Sequence, residues 1–398
     1  MNRDVSPMRT LHVYSGNLYG GIERSLITCA RSRHACPHLE MHFALCFDGQ
    51  LSQELEALNI PVHRLGSVRV SRPWTVWRAR RRLRQLLSEQ PYDAIIAHAC
   101  WAHVIAGPVA RKLGLPLVAW AHDTLSGRHI MERLARLNQP DLVLANSRYT
   151  ASTVTRVFPD AKIEVQHAPV PPPPAKDRQQ TREEVRKRLK VPPETAVILL
   201  ASRLERWKGH TLLLDALGKL RHKSNWTCWI AGGVQRPHER EYLNELQQMA
   251  KRLGIESRVQ FLGQRSDVSD LLFAADIHCQ PNTVGEPFGV AFIEAMQAAV
   301  PVVTTAQGGP LETIDESCGI LTPPGDTQAL ADALEKLIDD PALRRRLGSA
   351  GPARAKSLCD PAVVLNQMYE KLGLLLGRLG RAETIIALAA LGQHGVSL

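Results

Sequence analysis

The chain has 398 residues, 44% hydrophobic and 22% charged, with a formal net charge of +10 at pH 7. That is long for one core and natural for two, and the composition is that of an ordinary globular protein. The positive charge points to anionic partners (phosphates, acidic lipid or nucleic acid) without choosing among them. The eight cysteines, at 29, 36, 46, 100, 228, 279, 318 and 359, are scattered with no CxxC pair. This argues against a zinc site or a disulfide framework and for a reducing compartment. The N-terminus "MNRDVSPMRT" lacks an apolar signal segment. No run approaches the roughly 20 apolar residues that span a bilayer. The expectation is a cytoplasmic protein, at most peripheral at the inner face of the cytoplasmic membrane.

In chain order, the first half offers the strands "TLHVYS", "MHFALCF", "DAIIAHA", "PLVAWAH", "DLVLANS" and "KIEVQHA". The second half offers "AVILLAS", "WTCWIAG", "VQFLG", "DIHCQ", "PVVTTA" and "GILTPP". Short apolar runs separated by helical patterns read as buried parallel strands under right-handed crossovers. The fold class is therefore α/β, two Rossmann-like, doubly wound domains. The stretch "HAPVPPPPAKDRQQTREEVRKRL" is stiffened by proline and has no strand pattern, so the boundary is placed near residues 168 to 180. This predicts domains over 1–172 and 173–360, with a helical segment and tail over 361–398. From Asp326 the pattern is helical; the last stretch, "ETIIALAALGQHGVSL", reads as a short helix or a frayed tail. Two such domains facing each other leave a cleft lined by the carboxyl ends of both sheets, where open α/β sheets bind ligands.

Four stretches carry chemistry. In "GEPFGVAFIEAM", Glu286 and Glu294 are separated by seven residues. The apolar run from Pro287 to Val300 predicts a buried helix with Pro287 in its first turn. Glu294 and Gln297 share a face of it, and a buried carboxylate there needs a partner: vicinal ribose hydroxyls or a neighbouring cation. Gly289 allows close approach, and the free N–H groups at a helix start can take phosphate. Glu286, before the helix, either complements its dipole or accepts bonds from sugar hydroxyls. In "ASRLERWKG", Arg203 and Lys208 follow a strand end and either neutralise a diphosphate or are solvated surface charges. In "SGNLYGGIER", Gly20 and Gly21 let backbone amides approach phosphate, or make an ordinary strand-to-helix turn. The pattern is not GxGxxG, which disfavours a dinucleotide fold. In "AWAHD", His122 closes a buried strand and can exchange a proton or hydrogen bond with a substrate hydroxyl. His98 and His103, flanking "ACWA", are weaker candidates. The sequence has no DxD, so no acidic pair is available to hold Mg²⁺ against a diphosphate, and the cation's role passes to Arg203, Lys208 and backbone amides.

Taken in order and at these spacings, the residues resemble the family 4 glycosyltransferases, with "EPFGVAFIE", "ASRLERWKG", "GGPLETI", "GILTPPGD", "YGGIER" and "AHD" as the matching segments. The resemblance covers nearly the whole chain and is densest from about residue 196 to 326. It implies a GT-B fold whose C-terminal helix crosses back to the N-terminal domain. It also implies retaining, metal-independent transfer from a nucleotide-sugar, UDP- or GDP-linked, to a hydroxyl acceptor, lipid-linked or a glycan, through a front-face mechanism. By the same resemblance Glu294 holds the ribose, while Glu286 with the backbone of Phe288, Gly289 and Val290 holds donor sugar and diphosphate. Arg203 and Lys208 stabilise the departing diphosphate, Gly20 and Gly21 close over the phosphates, and His122 contacts the donor sugar. No cofactor is implied.

The segment "SRPWTVWRARRRLRQLL", residues 71–87, combines two tryptophans with six arginines. It reads either as a helix resting on an anionic membrane or as a domain helix with solvated arginines. Competing functions are a sugar-nucleotide epimerase, a phosphorylase, or a non-catalytic nucleotide-sugar or nucleic-acid binder. No nucleic-acid motif accompanies the arginines, so no nucleic acid is expected as a partner.

Overall fold

The computed structural model describes residues 6–16 and 20–379. These fall into two compact units: one runs to Pro169 and resumes at Pro361, and the other is Val170–Asp360.

The first unit holds a seven-stranded parallel sheet. Its strands are β1 (Met8–Tyr14), β2 (Leu39–Leu45), β3 (Val62–Arg64), β4 (Ala94–His98), β5 (Leu117–Ala121), β6 (Leu142–Ala145) and β7 (Lys162–Val165), in the order β3-β2-β1-β4-β5-β6-β7. The second unit holds six: β8 (Ala196–Ala201), β9 (Trp226–Ala231), β10 (Val259–Gly263), β11 (Ile277–Gln280), β12 (Val302–Thr305) and β13 (Gly319–Thr322), ordered β10-β9-β8-β11-β12-β13. In both sheets the winding direction reverses once, between β1 and β4 and between β8 and β11. In open parallel sheets such a reversal opens a crevice at the strands' carboxyl ends.

Apolar character on both faces explains the strands. Val197, Ile198, Leu199 and Leu200 of β8 are all fully buried, which only helices on both sides of the sheet can achieve. The second core packs Ile198 and Leu200 with Leu213, Leu217, Trp226 and Leu334, and the first gathers Phe43, Leu45, Ile96 and Trp120. The helix Pro361–Leu375 belongs to the first unit, where it buries Leu365, Met368 and Leu372 in that core. Each such side chain contributes about 1.5–3 kcal/mol of burial, enough to hold a chain segment that returns after 191 residues of the other unit. β3 escapes sequence reading because its three residues sit at the sheet's edge, Val62 and His63 half-buried and Arg64 exposed, with no apolar run.

One local expectation changes. The helix expected from Pro287 begins at Val290 and ends at Gln297. Gly289 stops it from starting earlier: its φ of +93° is left-handed, and an added Cβ would lie 2.3 Å from the Phe292 ring. The arginine-rich stretch forms the helix Pro73–Glu89, with Ala79, Leu83 and Leu86 in the first unit's core. Arg80 donates to the Val104 carbonyl (2.7 Å) and Arg82 to that of Leu65 (3.1 Å), while Trp74 and Trp77 are exposed. All eight cysteines carry free thiols. Among the described residues no helix is long and apolar enough to cross a membrane. The stretch 383–398 lies outside the described residues.

Candidate active site

In the second unit, three loops meet at the carboxyl ends of β8, β11 and β12. The loop after β8 carries Arg203 and Lys208 and ends at Gly209, whose φ is +80°. A Cβ at Gly209 would fall 1.8 Å from the Pro281 carbonyl oxygen, so glycine alone permits this loop to lie against the one after β11. The contact is secured by Thr283 N–H donating to the Trp207 carbonyl at 2.8 Å.

This approach places Lys208 Nζ 2.7 Å from Glu286 Oε2, both groups largely buried. The ammonium also lies 3.8 Å from the Trp207 ring centroid, a cation–π contact. Two amides join the same carboxylate oxygen: Asn282 Nδ2 at 3.0 Å and Gln280 Nε2 at 3.3 Å. The backbone carbonyls of Asn282 and Gln280 accept from the hydroxyls of Thr305 and Thr304, each at 2.7 Å. Gly309 N–H donates to the Glu286 carbonyl at 2.7 Å, tying in the loop after β12. Among the described residues all these side-chain donors converge on Oε2, so Oε1 remains an open acceptor. A carboxylate with one oxygen saturated and one open is oriented to take a hydrogen bond from a bound hydroxyl.

Glu286 is 7% exposed, whereas Glu294, on the helix beyond, is only half-buried. The sequence had suggested the opposite, because apolar neighbours surround Glu294. In the helix those neighbours occupy other faces. Gln297, one turn on, donates to the Val170 carbonyl at 3.1 Å. Phe288 is buried, and Gly289 and Val290 form the helix start. Arg203 is exposed and pairs with Glu205 at 2.8 Å, so no contact brings it to the Lys208–Glu286 pair. Gln280 and Asn282 went unnoticed in the sequence, since lone amides in a strand-to-loop stretch carry no pattern.

In the first unit, Gly20 caps the helix Gly21–Arg31, and its N–H donates to Glu23 Oε2 at 2.8 Å. Tyr14 Oη donates to the other oxygen at 2.9 Å, which accounts for a glutamate only 2% exposed. An added Cβ would meet nothing within 4 Å at Gly21, and at Gly20 only Glu23 Oε2 at 3.6 Å. Among the described residues, therefore, packing does not require either glycine.

His122 follows β5 and is part of a line of rings. His122 Nε2 is 2.9 Å from His98 Nδ1, and His98 Nε2 is 2.9 Å from His12 Nδ1. His12 Nε2 is 3.2 Å from Thr10 Oγ1. Burial holds all three histidines below their ordinary range, His12 at about 3, with His42 adding to the effect there. His103 lies elsewhere, its Nε2 bonded to the Asn138 carbonyl at 2.7 Å. His12 was missed because a histidine inside a strand has no signature until the partner strand is known. Among the described residues no three His, Cys, Asp or Glu side chains are grouped to hold a metal.

Comparison with known proteins accords with this layout. The family described as Glycosyltransferase Family 4 matches residues 19–172, and Glycosyl transferases group 1 matches 181–354. The GDP-mannose-dependent alpha-(1-6)-phosphatidylinositol monomannoside mannosyltransferase of Mycolicibacterium smegmatis is 30% identical over 299 residues, covering 68% of this chain and 73% of that protein. The alpha-1,3/1,6-mannosyltransferase of Homo sapiens is 35% identical over 190 residues, but the match spans only 45% of each chain. The match spans a similar share, 48%, of the D-inositol 3-phosphate glycosyltransferase of Corynebacterium jeikeium. Among solved structures, Anabaena Alr3699/HepE in complex with UDP and glucose is 28% identical with a TM-score of 0.76, covering 92% of this chain and 99% of that one. The two parallel-sheet units, the two family matches and these relatives together show that the chain belongs to glycosyltransferase family 4 and has the GT-B fold.

Proposed function

We propose that the protein transfers a sugar from a UDP- or GDP-sugar to a hydroxyl acceptor, with retention of anomeric configuration and without a divalent metal. The observation that carries this reading is the Lys208–Glu286 pair at the β8/β11 switch point, with Oε1 of the carboxylate left open. In this reading Glu286 orients the donor sugar through its hydroxyls. Lys208, joined by Arg203, offsets charge on the departing diphosphate. The N–H groups at Phe288, Gly289 and Val290 and the turn at Gly20 and Gly21 receive phosphate oxygens, Glu294 takes the ribose, and His122 bonds a sugar hydroxyl. UDP in the Anabaena relative and GDP-mannose in the mycobacterial one support a nucleotide donor of either base.

The acceptor is proposed to be lipid-linked or a glycan. The exposed Trp74 and Trp77 on an arginine-rich helix support a peripheral contact with anionic membrane. Calorimetry with UDP, GDP and ADP in the presence of EDTA tests the donor reading. One diphosphate should bind, and Glu294→Ala should weaken it about tenfold, the worth of one hydrogen bond to a charged group. No binding by any of the three would remove the proposal. NMR of the product's anomeric proton then decides retention.

A further inference from the structure

The three histidine rings are set out by the sheet itself. Thr10 and His12 are two residues apart on β1 and so share a face. His12 pairs with Ile96, two residues before His98, and His98 pairs with Trp120, two residues before His122. Each step moves one strand across and two residues toward the carboxyl edge, so the rings form a diagonal from the sheet interior to its end. His12 and His98 are 0% and 1% exposed, and His122 is half-buried. Ala99, directly after His98, has φ +65°, a strained left-handed value for a residue with a Cβ.

The buried end of this line sets its direction. The Thr10 hydroxyl has one proton and lies 3.2 Å from the Glu40 carbonyl oxygen, which can only accept. With that proton committed, Oγ1 must accept from His12, which therefore carries its proton on Nε2. His12 Nδ1 is then the acceptor for His98 Nε2–H, and His98 Nδ1 is the acceptor for His122 Nε2–H. The opposite polarity would turn the threonine proton toward His12 and give up the bond to Glu40. Among the described residues the His122 ring makes one hydrogen bond, the one to His98, so Nδ1 stays open.

We infer that His12 and His98 are positioning residues for His122: the chain of bonds from Thr10 holds His122 as the Nε2–H tautomer and leaves its Nδ1 lone pair to accept a hydrogen bond from a substrate hydroxyl. His122 thus orients a hydroxyl as an acceptor and carries no positive charge toward it. The substrate part of this inference rests on the glycosyl-transfer reading; the tautomer part does not.

The first experiment separates them. ¹⁵N-histidine-labelled protein, without ligand at neutral pH, is examined through two-bond couplings between the imidazole nitrogens and ring protons, with His122→Asn used to assign the signal. A neutral Nε2–H tautomer at His122 is expected. A neutral Nδ1–H form, a charged ring or fast averaging of the two tautomers would overturn the inference, whatever the protein binds. The second uses His98→Phe and His98→Gln, with hydrolysis of UDP-glucose or GDP-mannose as the readout. The glutamine amide can donate to His12 Nδ1 and accept from His122 Nε2–H, preserving the polarity, whereas phenylalanine can do neither. His98→Phe should mix the His122 tautomers and lower kcat about tenfold, the worth of one misdirected hydrogen bond. Nucleoside diphosphate affinity should stay within about twofold, and His98→Gln should recover most of the rate. Equal losses in the two variants would overturn the positioning role. Absence of diphosphate binding in the wild type would instead remove the glycosyl-transfer reading and leave the tautomer result standing.

Discussion

At the β8/β11 switch point a lysine and a glutamate meet as full charges, braced by two amides and three loops. At the β1/β4 switch point three neutral imidazoles and a threonine hydroxyl meet instead, with no ion pair in the line. The two units share a fold topology, so the difference comes from where the residues are mounted. Loop residues after a strand can bring opposite charges together late in the chain's path, and each offsets the other's desolvation. His12 and His98, on the strands themselves, are sealed in the sheet, where only groups that can stay neutral persist without a counter-charge.

Breaking the charged pair should have the largest effect. Lys208→Met leaves the Glu286 carboxylate buried with amide donors only, a change expected to cost about 3 kcal/mol, read as a lowered urea midpoint. His98→Phe, which removes two neutral hydrogen bonds, should cost less, about 2 kcal/mol. Equal losses would mean that the two switch points are not energetically distinct.

The glycines sharpen the same contrast. Gly209→Ala forces a Cβ against the Pro281 backbone at a left-handed φ and should destabilise by about 2 kcal/mol. Gly21→Ala meets no described atom within 4 Å and should leave the melting temperature unchanged or slightly raised, by at most about 1 kcal/mol in stability. If Gly21→Ala nevertheless weakens diphosphate binding in calorimetry, the glycine serves the ligand and not the fold.

Acidification should act on the histidine line. In the unfolded chain His12 titrates near the ordinary 6.5, and in the folded protein burial holds it neutral down to about 3. Between those values the unfolded state binds a proton that the native state refuses, so stability falls as pH drops from 6.5 toward 3. His12→Phe should flatten that slope in urea titrations run across the window. An unchanged slope would show that other groups control acid unfolding.

The smallest effect on stability is expected at Trp74 and Trp77. Their replacement by serine should change stability by less than about 0.5 kcal/mol, because both are exposed. Sedimentation with anionic phosphatidylserine vesicles should nevertheless fall for the double variant. Equal binding by wild type and variant would remove the membrane contact from the proposal.

Most of the architecture was legible in the sequence because parallel strands buried on both faces are written as continuous apolar runs such as "AVILLA" and "WTCWIA". β3 was not, since an edge strand of three residues, none of them buried, has no such run. The loop motifs at 202–209 and 285–290 were legible because glycines, prolines and paired charges crowd a short stretch. Their burial was misjudged: Glu294 looked enclosed in sequence yet is half-buried, while Glu286 is held by residues from positions 208, 280 and 282.

The sequence by itself determined two α/β units, their parallel strands and the loops that carry charge, because periodicity and local chemistry act over neighbouring residues. Only the tertiary structure decided that Lys208 lies on Glu286 across 78 positions, and that Thr10, His12, His98 and His122 form one line. Strand order and register set those distances, and both are settled when the sheets assemble, from contacts between segments far apart in the chain.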